Sequence, residues 1–227
     1  MKRVAAAALL WLITGACTPG ESVDGAKVLR DGAAAMANLK TVTATMKFTK
    51  GAISFQTLTL VSASAKVRLP SDSSTTYTVK LQDASIGVEV VITGGHTYLH
   101  LPLSSPREVS ATEAATLPDF AKLFDRTTGL PAVIPAGAKA AYVSTENVDG
   151  VSCYQVTADY TPDQIRSLLS QLNSSGIVHA KIWVGVADHF IRKAVLSGAF
   201  GDGGTDASVE VAMKNFNGDV AITPPLT

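Results

Sequence analysis

Four histidines and two cysteines have the widest chemical range of any side chains in this 227-residue chain. His96 and His100, in HTYLH, stand four apart, which on a helix would make a metal-binding pair. Here Thr97, Tyr98 and Leu99 alternate as in a strand, so the two imidazoles share a face. No neighbouring run of carboxylates or thiols completes a metal site, and the pair is read as part of a solvated face or rim. His179 and His189 are isolated. Cys153 lies in VSCYQVTADY, a strand pattern, where an unpaired cysteine behaves as a small buried hydrophobe; a reactive thiolate would need an activating base. The chain lacks the G-x-S-x-G pentad of serine esterases. The glycines of GDGGTD are followed by no Gly-Lys-Ser/Thr, so they read as a hairpin loop rather than a phosphate cradle. Glu146, Asp149 and Asp159 flank turns and are expected in solvent. The expectation is a protein without enzyme activity, metal or cofactor.

The other cysteine sits in LITGACTPG, directly after an apolar stretch. Met1-Lys2-Arg3 is a cationic head, and Val4 to Ala16 is almost free of polar groups. A membrane-spanning helix needs roughly 20 apolar residues, so this stretch has the layout of an export signal. Ile13-Thr14-Gly15-Ala16-Cys17 resembles the bacterial lipobox, with Thr14 where leucine is the commoner residue. That resemblance implies transfer of diacylglycerol to the Cys17 thiol, cleavage before Cys17 and a lipid-anchored product. An ordinary cleaved signal with a coincidental cysteine is the alternative.

Lysine plus arginine and aspartate plus glutamate each number 19, for a formal net charge of zero. That excludes the basic footprint on which nucleic-acid binding relies and the polybasic segment of an anionic-lipid binder. Charged residues make up 17% and AVILMFWYC 46%, with only 6% aromatics. The result is a largely aliphatic chain, with ample apolar surface to cover. No Pro/Ser-rich linker, charge block or repeat marks a second domain.

After a short tether, Val28, Leu29, Gly32, Met36 and Leu39 recur at helical spacing, with Asp24 as N-cap. From Thr41 the period becomes two. Val42, Ala44, Met46 and Phe48 point one way in TVTATMKF, and ISFQTLTLVSASAKVRL continues with long, Thr-rich β character. Tyr77, Val79 and Leu81 form the next face, followed by Ile86, Val88, Val90 and Ile92. Gly94-Gly95 then turns the chain into a strand carrying Leu99 and Leu101. The middle is different: Ser110 and Glu113 suit a capping box, PDFAKLFD reads as a short amphipathic helix, and GLPAVIP as a loop or single turn. Strands return at AAYVSTENV and VSCYQVTADY. Thr161, Pro162, Asp163 and Gln164 then open a helix with the stripe Ile165, Leu168, Leu169 and Leu172. Three more strands follow, giving roughly ten antiparallel strands in all. So few helices cannot cover both faces of such a sheet, and a sheet that curls with helices across its mouth encloses a cavity.

Four segments carry a further resemblance: LPDFAKLFDRTTGLPAVI, VDGVSCYQVTADYTPDQIRSLL, AKIWVGVADHFIRKAVLSG and KNFNGDVAITPP. In this order they resemble the actinobacterial LppX/LprAFG lipoproteins over essentially the whole chain after Cys17. The resemblance implies an α+β single domain: a curved antiparallel sheet, or half-open β-barrel of lipoprotein-carrier type, with helices across the concave face enclosing an apolar cavity. It divides the chain into a signal peptide (1–16), a lipidated tether (17–24) and a lipid-binding domain (25–227). It also implies an acylated envelope lipid or glycolipid as ligand, movement of that lipid across the periplasmic space, attachment to the outer face of the cell membrane, and in some members an efflux transporter as partner. The expected cavity wall is Val79, Leu81, Val88 and Val90 from the sheet and Phe120, Leu123, Phe124, Leu130 and Ile134 from the insert. Two alternatives share much of this pattern, an anchored structural domain with a filled core and an envelope-lipid hydrolase.

Overall fold

The computed structural model describes residues 22–55, 58–82, 84–117, 119–168 and 174–225. Cys17, Leu169 and Leu172 lie outside the described residues. The first element is α1 (Gly25–Ala37), capped by the Asp24 carboxylate, which accepts from the Ala26 N–H at 2.9 Å. Its buried stripe is Val28, Leu29, Gly32, Ala33 and Met36. At Gly32 a Cβ would stand 3.3 Å from Ile191 Cγ1, so glycine lets the helix lie close on the sheet.

Twelve strands follow among the described residues: β1 (Thr41–Lys50), β2 (Ile53–Phe55), β3 (Leu58–Arg68), β4 (Asp72–Leu81), β5 (Ala84–Thr93), β6 (His96–His100), β7 (Arg107–Glu108), β8 (Ala138–Val148), β9 (Val151–Tyr160), β10 (Val178–Gly185), β11 (Ile191–Gly198) and β12 (Ala207–Lys214). All pairings are antiparallel, in the order β7-β6-β5-β4-β3-β1-β12-β11-β10-β9-β8, with β2 on β3. Two meanders grow outward from the central β1–β12 pair, and the sheet curves without closing. The long Thr-rich β segment is a hairpin. β2 folds back on β3 with Ile53 opposite Leu60, which turns both residues into the core. Positive φ at Gly94, Gly95, Asp149 and Gly150 marks two further hairpin turns.

The register explains the two faces. One inward row runs Val88, Tyr77, Ala63, Met46, Val211, Ala194, Ile182, Val156 and Tyr142 across nine strands. The adjacent outward row runs Thr76, Ser64, Thr45, Ala212, Lys193, Trp183 and Gln155. An antiparallel sheet with one covered face alternates in this way. The concave side is roofed by α1 over β8 to β10 and by an insert between β7 and β8. The insert comprises α2 (Ala111–Ala114), a 3-10 helix (Phe120–Phe124), α3 (Leu130–Val133) and a second 3-10 turn (Ile134–Ala136); α4 (Pro162–Leu168) follows β9. PDFAKLFD is therefore a 3-10 turn and not the expected α-helix. It is short enough for i, i+3 spacing to put Phe120 and Leu123 on one face, and both are buried.

A candidate apolar binding cavity

Side-chain caps set the roof in place. The Asp119 carboxylate accepts from the Ala121 N–H at 2.9 Å and starts the first 3-10 turn. Asp125 then closes it: one carboxylate oxygen accepts from the N–H groups of Thr127 and Thr128 at 2.9 and 2.8 Å and from their hydroxyls at 2.7 and 2.9 Å. Those bonds, led by the Thr127 hydroxyl, hold the Asp125 carboxyl well below the usual range. Gly129 opens α3 where a Cβ would lie 2.5 Å from the Leu123 carbonyl oxygen, a position only glycine fits. On α4 the expected capping box is complete. Gln164 N–H donates to Thr161 Oγ1 at 3.4 Å, and Thr161 N–H donates to Gln164 Oε1 at 2.7 Å. Two bonds tie these pieces together: Gln164 Nε2 donates to the Ala136 carbonyl at 3.1 Å, and the buried Tyr160 hydroxyl donates to the Ile134 carbonyl at 2.9 Å. Burial pushes the Tyr160 pKa above that of a free phenol.

Between roof and sheet lies a cavity of about 80 Å³. Its floor is Ala44 and Met46 of β1, Val211 and Met213 of β12, Ile191, Ala194 and Leu196 of β11 and Ile182 of β10; its roof is Phe120, Leu123, Phe124, Leu130, Val133, Ile134, Ile165 and Leu168, with Tyr160 at the side. Among the described residues no charged side chain lines it. Two of the floor residues, Ala44 and Ala194, are small side chains at inward positions directly under the insert. Ala194, Leu196 and Val211 face inward yet are only half-buried, so this part of the interior is not packed solid.

Phe120, Leu123, Phe124, Leu130 and Ile134 all border the cavity. The four expected sheet residues do not. Val79 and Val90 are buried elsewhere in the core, Val88 is half-buried against it, and Leu81 is 44% exposed at the end of β4. The reason is that the first 3-10 turn packs on β3 and β4, with Phe120 against the Tyr77 ring at 6.0 Å, and covers that half of the sheet. The open floor is the other half. Sequence reasoning passed over Ala44, Ala194, Val211 and Met213, whose signal was small or flexible residues at inward-facing positions.

The candidates for chemistry are scattered. His96 Nδ1 lies 2.6 Å from Glu108 Oε1, and His100 Nδ1 3.5 Å from Glu89 Oε2, so each has one carboxylate that local sequence did not reveal. His179 pairs with Asp159 at 2.6 Å. Among the described residues no three histidine, cysteine or carboxylate side chains gather as a metal set. Cys153 is free and fully buried, and burial pushes its thiol up. Glu146 is not simply solvated: the Trp183 Nε1–H donates to it at 2.9 Å, and this bond and one from Ser144 lower its pKa. Each of these groups lies outside the cavity wall.

An unclosed antiparallel half-barrel whose concave face carries short helices over an apolar cavity defines a class of single-domain fold. The chain belongs to the LppX_LprAFG lipoprotein family, whose pattern matches residues 24–222. It is similar in structure to LprF from Mycobacterium bovis, with a TM-score of 0.71 and 17% identity, covering 91% of this chain and 100% of that one. It is also similar to the lipoprotein LppX from Mycobacterium tuberculosis, with a TM-score of 0.61 and 17% identity over 88% of this chain and 98% of that one. At such identity the likeness is one of fold. No curated protein sequence matches the chain significantly.

Proposed function

We propose that this lipoprotein binds acyl chains of cell-envelope lipids in the cavity between insert and sheet, and carries them near the membrane to which Cys17 anchors it. The observation that supports this most is the wholly apolar cavity at the centre of the concave face, bordered by Ala194, Leu196 and Val211 and roofed by the insert. Such a protein has no bond to make or break. Its task is to offset the cost of about 0.8 kcal/mol per methylene that an acyl chain meets on leaving the bilayer. On this reading residues 1–16 are removed, Cys17 carries diacylglycerol and the domain works at the outer face of the cell membrane, where family resemblance adds an efflux transporter as a partner.

One observation favours the filled-core alternative: the cavity is about 80 Å³, about half the 150 Å³ void known to admit benzene. Native mass spectrometry with lipid extraction separates the two. The chain with Cys17→Ser, made in an actinobacterial host, is expected to leave the cell with a stoichiometric lipid adduct. A clean apo mass that takes up neither diacyl nor triacyl lipid refutes the carrier reading. Esterase turnover abolished by a single serine or histidine substitution would instead establish a hydrolase.

A further inference from the structure

The outward row through Thr45 is made of small or hydrophilic residues, Thr76, Ser64, Ala212, Lys193 and Gln155, with one exception, Trp183. The register sets Gln155 of β9 and Lys193 of β11 on either side of it. Its Nε1–H donates to Glu146 Oε2 of β8 at 2.9 Å. Glu146 stands two strands away, so the indole reaches across β9. That reach explains why Gln155 and, two residues along β9, Cys153 are buried although both point outward. Glu146 is fixed in turn by Ser144 Oγ, which donates to Oε1 at 2.9 Å. Trp183 is 7% exposed, and a flexible side chain lies over the ring: Lys193 Nζ stands 5.2 Å from the indole centroid and 2.7 Å from Glu210.

Around the indole is a cleft of about 330 Å³, with Glu146, Asn147, Asp149, Lys193 and Glu210 among its walls. At roughly 30 Å³ per water-sized group it holds about eleven non-hydrogen atoms, the size of one hexose unit. The walls offer both kinds of hydrogen-bond partner. Glu146, Asp149 and Glu210 accept, and each carboxylate oxygen of Glu146 keeps a second lone pair. Lys193 donates, and so does Asn147, whose Oδ1 is engaged by the Gly150 N–H at 2.8 Å, leaving its amide hydrogens for a ligand. Three carboxylates repel an anion, and a cation has to compete with the ammonium already in place. A neutral pyranose suits the set. Its C–H face is apolar and stacks on the negative face of an aromatic ring, while its hydroxyls both donate and accept at the edges. Ile182 and Ala194, the sequence neighbours of Trp183 and Lys193, face the acyl cavity on the other side of the sheet. The sheet therefore separates the two spaces, and the cleft serves a ligand other than a lipid held in the cavity.

We propose that Trp183 and the polar groups around it form a saccharide site on the convex face, for a neutral hexose unit of an oligosaccharide or polysaccharide. Lys193 is its cover: it leaves the ring for Glu210 when the sugar stacks, and its ammonium then donates to a hydroxyl.

The test uses the chain from Cys17 onward with Cys17→Ser, which contains every described residue. Trp183 is its one tryptophan and reports directly. Lys193→Ala, with the fold checked by circular dichroism, raises acrylamide quenching of Trp183. Maltotriose, mannotriose and galactotriose are titrated into parent and variant. At least one shifts Trp183 emission saturably and shields it from acrylamide, while trigalacturonate and lysine methyl ester do not. Glu210→Ala weakens that saccharide about tenfold, the loss of one hydrogen bond to a charged acceptor. Glu146→Gln, which keeps an acceptor for the indole, takes its place should Glu210→Ala misfold. Unchanged quenching in Lys193→Ala, no response to any of the three trisaccharides, or a response to the acid or the amine alone overturns the proposal. The probes carry no acyl chain, so failure here and failure of the carrier reading, which lipid adducts decide by mass, are distinct results.

Discussion

Ala194→Leu probes the cavity most directly. Ala194 sits in the inward row between Ile182 and Val211 and forms floor under the insert. Leucine adds three carbons, and at roughly 30 Å³ per water-sized group they occupy about 90 Å³, matching the space present. For the empty protein the change is nearly neutral. Burying three carbons contributes about 2.4 kcal/mol, and overpacking costs about 1–3 kcal/mol. For a bound acyl chain the same carbons displace three methylenes, a loss of about 2.4 kcal/mol. That is a roughly 60-fold rise in Kd. The assay is displacement of a fluorescent diacyl lipid, run beside thermal unfolding. The reasoning holds if Kd rises by that order while Tm moves by no more than about 4 °C, the shift that 1 kcal/mol gives in a domain of this size. An unchanged Kd with an unchanged Tm would refute it, since the chain would then lie elsewhere, for example along Val79 and Val88.

Three further outcomes follow from the roof. Tyr160→Phe removes the buried hydroxyl that holds the Ile134 carbonyl; stability falls by about 1–3 kcal/mol in denaturant titration, and lipid exchange between vesicles and protein speeds up. Gly129→Ala drives a methyl into the Leu123 carbonyl and costs about 1–3 kcal/mol, with hydrogen exchange rising across 120–136 and not in β10 to β12. Asp125 contributes through a carboxyl whose folded pKa is depressed, so its stabilisation is present above the unfolded value near pH 4 and is lost as pH falls through the lower folded value. Asp125→Asn therefore loosens the 125–129 turn at neutral pH, seen as faster amide exchange at Thr127 and Thr128, and the difference from the parent narrows in strong acid.

Period and caps made most of the architecture legible before any coordinates. Asp24, Thr161 and Gln164 cap as their types demand, and alternation from Val42 to Phe48 gives the inward face of β1. What local pattern could not carry was pairing between distant strands. The meeting of β1 with β12 joins residues about 170 positions apart, and only that meeting brings Ala44 beside Met213 and within reach of Ala194. The insert residues of the wall were readable because they are large apolar groups in a region without strands. The floor was not, because an alanine at an inward position carries the same hydropathy whether it abuts a neighbour or a void. Leu81 shows the converse error: its parity is inward, but β4 extends beyond the roof, so the same parity leaves it exposed.

The size of the cavity bears on how a carrier with this structure would load. At roughly 30 Å³ per methylene-sized group, a 16-carbon chain needs on the order of 500 Å³, far more than the cavity of about 80 Å³ offers. The roof must move, and the polar ties between its pieces and the sheet side are few. Breaking the Tyr160–Ile134 and Gln164–Ala136 bonds costs about 1 kcal/mol each. Exposing Phe120, Leu123, Phe124 and Ile134 to water would cost far more, at about 1.5–3 kcal/mol per large apolar side chain. Loading is therefore feasible only as exchange, in which the insert leaves its packing against the floor and repacks on the incoming chain without meeting water. Exchange of that kind needs a lipid source at the mouth of the fold, and the proposed Cys17 anchor, which would keep the domain within roughly 25 Å of a bilayer, would supply one. The carrier reading thus places a kinetic demand on the anchor: with the domain freed by Cys17→Ser, lipid uptake from vesicles should slow in proportion to the lost local concentration, while the affinity of the cavity for a delivered chain stays the same. Uptake as fast for the free domain as for the anchored one would mean that the roof opens in water, and the exchange argument would fail.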